Sequence, residues 1–303
     1  MSTTASADPP ELRRDAASAA SRRRRPWLSL AGTIPFFGYT GVFLILPTLL
    51  VMVGAFRSRA GTFTLNGISQ ALAERTLGTF VNSLLVSAVT ALVGALAGAV
   101  IAYALATAPS GSLLRRGFTA FMSVLAQFGG VMLAFAFIAT IGINGMVTRL
   151  LMSWFGASLD PALLSTLFGV GIVYTYFQIP LMVIVFLPAL DGLKPQWREA
   201  TATLGGTTTK YWTRVAGPIL LPSFLGSYLL LFANSFSAFA TAAALISQQT
   251  IIVPMEIESA LRNENDIGMD SYAKALALGM ILVVALIMWG YSVMGRRASR
   301  WSA

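Results

Sequence analysis

Six long runs of apolar residues, at about 30–56, 82–107, 117–141, 163–188, 219–246 and 273–295, alternate with polar stretches along the chain. A helix needs about 20 mostly apolar residues to cross the hydrocarbon core of a bilayer, and each run is long enough. The middles of the runs are largely free of Asp, Glu, Lys and Arg. A charge there costs about 2.5–3.5 kcal/mol on insertion scales. Only helices and closed barrels pair every backbone amide in lipid, and these runs are too long and too uniformly apolar for barrel strands. The pattern predicts an all-α, polytopic membrane protein with about six transmembrane helices.

Most connections between the runs are short. Two are longer: the segment 189–218 before the fifth run and the segment 247–272 after it. Long ordered connections tend to carry function, so both are candidates. No internal repeat argues for an inverted-repeat secondary transporter.

Composition supports the membrane reading. The 303 residues are 56% hydrophobic and 11% charged, against roughly 25% charged in a soluble domain. A net charge of +9 invites a nucleic-acid reading. The basic residues, however, gather at the ends of apolar runs, so no nucleic-acid partner is expected. The chain has no Cys and no His. Disulfides, thiol chemistry, the usual zinc ligands and a Cys-linked lipid anchor are therefore excluded, and no cofactor or metal is expected.

Charge also orients the chain. Residues 1–29 read as a disordered cytoplasmic basic tail with four consecutive cations, Arg22 to Arg25, and residues 30–303 as the transmembrane domain. The apolar run after the tail is longer than the 7–15 residues of a signal-peptide core. With the tail inside, the loops holding Arg115, Arg116, Lys194, Arg198, Lys210, Arg214, Arg296 and Arg297 also lie inside, as the positive-inside bias requires. Both termini are then cytoplasmic. The last outer segment carries Glu256, Glu258, Glu264, Asp266 and Asp270 and is the most acidic part of the chain.

The inner segment 189–218 reads Lys194-Pro-Gln-Trp-Arg-Glu199-Ala200-Thr201-Ala-Thr-Leu-Gly205-Gly206, then Thr-Thr-Thr-Lys-Tyr-Trp-Thr-Arg214-Val215-Ala-Gly-Pro218-Ile-Leu-Leu-Pro222. Pro195 is a helix-start signal, and the glycine pair is a stop signal. The residues predict a short helix to about Leu204, a sharp turn, and a second short helix from about Thr208 to Val215. Pro218 and Pro222 then open the fifth spanning helix.

This segment resembles the EAA loop of binding-protein-dependent ABC importer permeases. The family motif is Glu-Ala-Ala, three residues, Gly, nine residues, an apolar residue, one more, then Leu-Pro. Glu199, Ala200, Gly205, Val215 and Pro218 fall on that spacing, while Thr201 replaces the second Ala and Gly217 the Leu. The resemblance extends more loosely from about Leu30 to Arg300, and Asn82-Ser83 shares in it. It implies a type I ABC importer permease fold, with the loop as a coupling helix in a groove of a cytoplasmic ATPase. Glu199 would anchor that docking, Ala200 would allow close approach and Gly205 would set the bend. The implied partners are a cytoplasmic ABC ATPase dimer, a second permease subunit, an extracytoplasmic solute-binding protein and membrane lipid. ATP hydrolysis would sit on the separate ATPase, and the chain itself would be no enzyme. Gly205-Gly206-Thr-Thr-Thr-Lys210 lacks the spacing of a phosphate-binding loop.

Polar residues within spans are expensive and often functional. Candidates are Gln127, Tyr174, Tyr176, Gln178, Asn234, Ser235, Ser237 and Thr241. Ser and Thr can satisfy themselves on the helix backbone, and Tyr favours membrane interfaces. The carboxamides Gln178 and Asn234 need partners. Gln127, Gln178, Asn234, Ser237 and Thr241 are taken as the pathway set. Gly94 and Gly98 suit close helix packing. Asn234-Ser-Phe-Ser-Ala-Phe-Ala-Thr241-Ala and Ala275-Leu-Ala-Leu-Gly279 resemble the spermidine/putrescine-type branch, which implies a polyamine-like solute, with phosphonate, iron or another small solute as the alternative. An ion-coupled transporter would bury charges in its spans, and a membrane enzyme would need a cluster of catalytic groups. The sequence supplies neither.

Overall fold

The computed structural model describes residues 26–58, 61–109, 111–156, 160, 162–246, 252–262 and 268–299. Of the predicted disordered tail at 1–29, residues 1–25 lie outside the described residues, while Pro26–Ser29 belong to a helix that begins at Pro26. The helices are α1 Pro26–Thr40, α2 Leu46–Gly54, α3 Asn66–Ala71, α4 Glu74–Thr107, α5 Leu113–Gln127, α6 Gly130–Ile141 and α7 Met146–Phe155. They continue with α8 Leu167–Asp191, α9 Pro195–Thr203, α10 Thr208–Tyr211, α11 Gly217–Phe236, α12 Ala240–Leu245, α13 Val253–Arg262 and α14 Met269–Ser299. The described residues form no β-strand, and six helical stretches are long and apolar enough to cross a membrane. The all-α, six-span expectation holds.

The chain divides into two units, Met1–Val53 and Gly54–Ala303. The first contains α1, a π-helical turn at Gly41–Ile45 and most of α2. None of the spanning window in Thr33–Gly54 is buried, as suits a helix whose solvent is lipid.

The second unit is built around α8, which is apolar on all sides and therefore the most enclosed span. α4 lies against it. A Cβ added to Gly94 would stand 2.7 Å from Gln178 Cβ, and one added to Gly98 would stand 2.5 Å from Met182 Cβ. Four-residue steps in the same direction on both helices mean that α4 and α8 run parallel. The two glycines let the backbones approach, as the sequence predicts. α11 runs antiparallel to this pair: Trp212, just before it, meets Tyr103 of α4 edge-on, and Ser235 at its other end meets Thr90. α14 runs parallel to α4, with Tyr272 bonded to Thr76 and Gly279 against Phe80. α5 starts beside the end of α8, where Arg115 Nη2 donates to both carboxylate oxygens of Asp191 at 2.6 Å.

Several boundaries differ from the sequence expectation. The run 117–141 is two helices, because Gly129 is extended and Gly130 has φ +68°. The run 219–246 also breaks: α11 ends at Phe236 and α12 starts at Ala240. Hydropathy cannot register either break, since the broken residues are themselves apolar or small. The second span starts at Glu74, ahead of the predicted 82. The segment 247–272 contains α13, whose Val253 N–H donates to Ser83 Oγ of α4 at 2.9 Å.

The predicted second short helix does not stand alone either. Thr208 to Phe236 is one continuous helical stretch, with a π-helical turn at Trp212–Ala216 where Gly217 N–H donates to Trp212 O. Pro218 has no N–H, and its ring crowds the carbonyl four residues back. Widening the turn by one residue relieves that crowding without ending the helix.

Candidate functional site

Between the fourth and fifth spans the chain makes a helical elbow. Pro195 occupies the first turn of α9, where its missing N–H costs nothing. The far end closes as a Schellman motif. Gly206 N–H donates to Thr201 O at 2.8 Å, Gly205 N–H donates to Ala202 O at 3.0 Å, and Gly205 takes φ +72°. A side chain at Gly205 would be strained in that left-handed region by about 1–2 kcal/mol. Gly206 is constrained differently: an added Cβ would stand 2.5 Å from Thr201 Cγ2 and 2.7 Å from Thr201 O. Thr201, the departure from the second Ala of the motif, therefore lies over the glycine turn, with its hydroxyl donating to Trp197 O at 2.8 Å.

The elbow presents an unusual surface. Glu199, Ala200 and Gly205 are exposed, and Leu204 is 88% exposed. The Glu199 carboxylate has no ion pair or hydrogen bond among the described residues. Val215 is half-buried in the π-helical turn and Pro218 is exposed on α11. The capped helix thus sets the exposed Leu204 and the Glu199 carboxylate on its solvent side. The P-loop look-alike has another job here: Thr207 caps α10 by accepting Lys210 N–H at 3.3 Å.

The predicted pathway residues separate into two groups. Gln178 and Thr241 are buried, whereas Gln127, Asn234 and Ser237 are exposed. Gln178 Nε2 donates to Thr90 Oγ1 at 2.8 Å, and Ser235 Oγ lies 3.2 Å from the same oxygen. Thr90, which the sequence reading passed over, thus ties α4, α8 and α11 together. It stands four residues before Gly94, on the small-residue stripe that runs to Gly98, and that register was the available signal. The two helix breaks meet as well. Thr241 Oγ1 donates to Gly130 O at 3.2 Å, and Tyr174 of α8 donates its hydroxyl proton to Ala238 O. Carbonyls freed by broken helices in lipid need such donors. Ser237 donates to Ala233 O at 2.9 Å, and Tyr176 packs edge-on against Phe137.

Gln178 Oε1 is buried and has no hydrogen-bond partner among the described residues. An unsatisfied buried acceptor carries its desolvation cost without return, about 1–3 kcal/mol. Gln178→Met is therefore expected to leave thermal stability within about 1 kcal/mol of the parent, or to raise it. Thermal unfolding of the purified chain checks this, and a loss beyond that range would mean the amide is fully engaged.

In the acidic segment 247–272, Tyr272 donates to Glu256 Oε1 at 3.1 Å, Glu258 pairs with Arg262, and Asp270 pairs with Lys274 at 2.6 Å. Glu264 and Asp266 lie outside the described residues. The described acids are thus engaged within the chain.

No family model matches the chain. Among curated proteins, it is 30% identical over 166 residues to the molybdenum transport system permease protein ModB of Mycobacterium bovis, covering 54% of this chain and 57% of that protein. It is 23% identical over 151 residues to the spermidine/putrescine transport system permease protein PotB of Haemophilus influenzae, covering 50% of this chain and 52% of that protein. The matched stretch spans only about half the length of these relatives. In three dimensions the chain aligns with a crystal structure of a bacterial ABC transporter involved in the import of the acidic polysaccharide alginate. The TM-score is 0.73 at 18% identity, with 92% of this chain and 99% of that chain covered. The chain has the fold of an ABC importer permease.

Proposed function

We propose that the chain is the membrane-spanning permease subunit of an ATP-driven importer, multi-pass in a bacterial inner membrane with both termini cytoplasmic. The observation that carries this reading is the elbow. It is a rigid, Schellman-capped helix with free Glu199 and exposed Leu204, projected between the fourth and fifth spans. Residues Glu199, Ala200, Thr201 and Gly205 form the coupling surface, and Val215 and Pro218 join it to the fifth span. A cytoplasmic ATPase dimer would move this elbow. The spans behind it would then pass between inward- and outward-facing packings, a transition between discrete packed states. A second permease subunit, identical or paralogous, would complete the pathway, and an extracytoplasmic binding protein would deliver the cargo. Asn234, Ser237 and Gln127, exposed and polar, suit the face that a second subunit closes; Gln178 and Thr241 support that face from behind.

The cargo is read as a small polar solute. The polyamine-like reading rests on short motifs in the fifth and sixth spans. Against it, the described spans carry carboxylates only near their ends, at Glu74, Asp191 and Asp270, and a relative named for molybdenum transport matches the chain as well. The alternative of phosphonate, iron or another small solute stands beside it. Charged residues are missing from the middles of the described spans, which disfavours an ion-coupled carrier.

Mild-detergent purification of the full chain from its native membrane is expected to bring down a P-loop ATPase in stoichiometric amount. Recovery without any nucleotide-binding protein, under conditions that keep the spans folded, would overturn the assignment.

A further inference from the structure

At the end of the bundle that carries the elbow, a cleft of about 680 Å³ opens between α5 and α8. It is lined by Arg115, Arg116, Thr119, Ser123, Leu187 and Asp191. Two cations occupy the first turn of α5, where the helix dipole disfavours positive charge. Asp191 offsets Arg115, which is mostly buried. Arg116 is exposed, and its guanidinium has no hydrogen bond or ion pair among the described residues. The site thus keeps an excess cation against the local field, and an anion placed there would relieve it. The neighbouring wall is apolar: Leu113 and Leu114 are 85% and 79% exposed. On the topology proposed above, on which this inference rests, this turn lies at the cytoplasmic end of the spans, where the hydrocarbon core gives way to headgroups.

We propose that the cleft binds the phosphate of an anionic phospholipid, held by Arg116 and the free donors of Arg115, with its acyl chains along Leu113 and Leu114. Basic pockets between spans on the cytoplasmic side are suited to such headgroups. A free phosphate ion shares the charge chemistry but makes no use of the exposed leucines, so the observations favour the lipid. The site does not depend on what the chain transports.

The test uses the full chain in nanodiscs of mixed phosphatidylglycerol and phosphatidylcholine, with bound lipid counted by native mass spectrometry. Phosphatidylglycerol is expected to be enriched over phosphatidylcholine. Arg116→Gln should lower that enrichment about fivefold, the worth of one surface cation. Arg116→Lys should retain most of it, and Arg214→Gln, at an exposed cation in the π-helical turn, should leave it unchanged. Equal enrichment in the parent and Arg116→Gln would overturn the proposal. So would an equal loss in Arg214→Gln, which would indicate general surface attraction, or displacement of the lipid by inorganic phosphate.

Discussion

Gly206→Val is expected to reduce solute uptake strongly while leaving the chain inserted and folded. The new Cβ would enter at 2.5 Å from Thr201 Cγ2 and 2.7 Å from Thr201 O. The side chain could move, but the carbonyl is fixed by the hydrogen bond it accepts from Gly206 N–H itself. Overpacking of this kind costs about 1–3 kcal/mol, and the elbow, exposed on most of its surface, can relieve the clash by opening the turn. The six spans lie elsewhere and keep their packing. Uptake should fall about fivefold to a hundredfold, since each 1.4 kcal/mol of lost coupling is a factor of ten. Adding Thr201→Ala removes the methyl contact but not the carbonyl contact, so recovery should be partial. Gly111→Ala, with nothing within 4 Å of the added carbon, is the control expected to transport normally. Full uptake by Gly206→Val would mean that the turn does not need its shape.

Gly98→Leu is expected to have the largest effect on stability. α4 and α8 approach so closely there that a Cβ would stand 2.5 Å from Met182 Cβ and 2.7 Å from Ile179 O. Both neighbours belong to α8, the most enclosed span, so neither can retreat into lipid. The cost should reach or exceed the upper end of the usual overpacking range of about 1–3 kcal/mol. Lower thermal stability in detergent and poor recovery of folded protein are the readouts. Gly78→Ala lies on the same helix with nothing within 4 Å. It should be neutral or gain up to about 1 kcal/mol of helix propensity.

The sequence made some of this architecture plain and hid the rest, for identifiable reasons. Hydropathy reports length and polarity, so the six spans and the close approach at Gly94 and Gly98 were readable. The elbow was readable because proline and glycine mark helix ends through backbone chemistry that needs no tertiary context. Phe128-Gly-Gly130 and Ser237-Ala-Phe239 look like uninterrupted membrane helix, because a break made from apolar and small residues leaves no polar trace. Only the folded chain brings Tyr174 and Thr241 to the carbonyls at those breaks. Gln178 was recognised as needing a partner, but its partner Thr90 lies 88 residues away in the chain, beyond any local pattern. The π-helical turn was hidden as well: two prolines read as a helix start, whereas the chain threads them through one continuous stretch. Gly217, a departure from the motif, fits that turn, since a Cβ there would stand 2.5 Å from Trp212 O.

Because the chain has no cysteine, a single thiol introduced as Leu204→Cys reports from the elbow tip alone. In native membranes labelled with a thiol-reactive photocrosslinker, this variant should form a covalent product with a P-loop ATPase on illumination, and its yield should change when ATP is added. Reaction of the thiol only with a membrane-impermeant reagent applied from the outer side, or absence of any ATPase product during active uptake, would contradict the account.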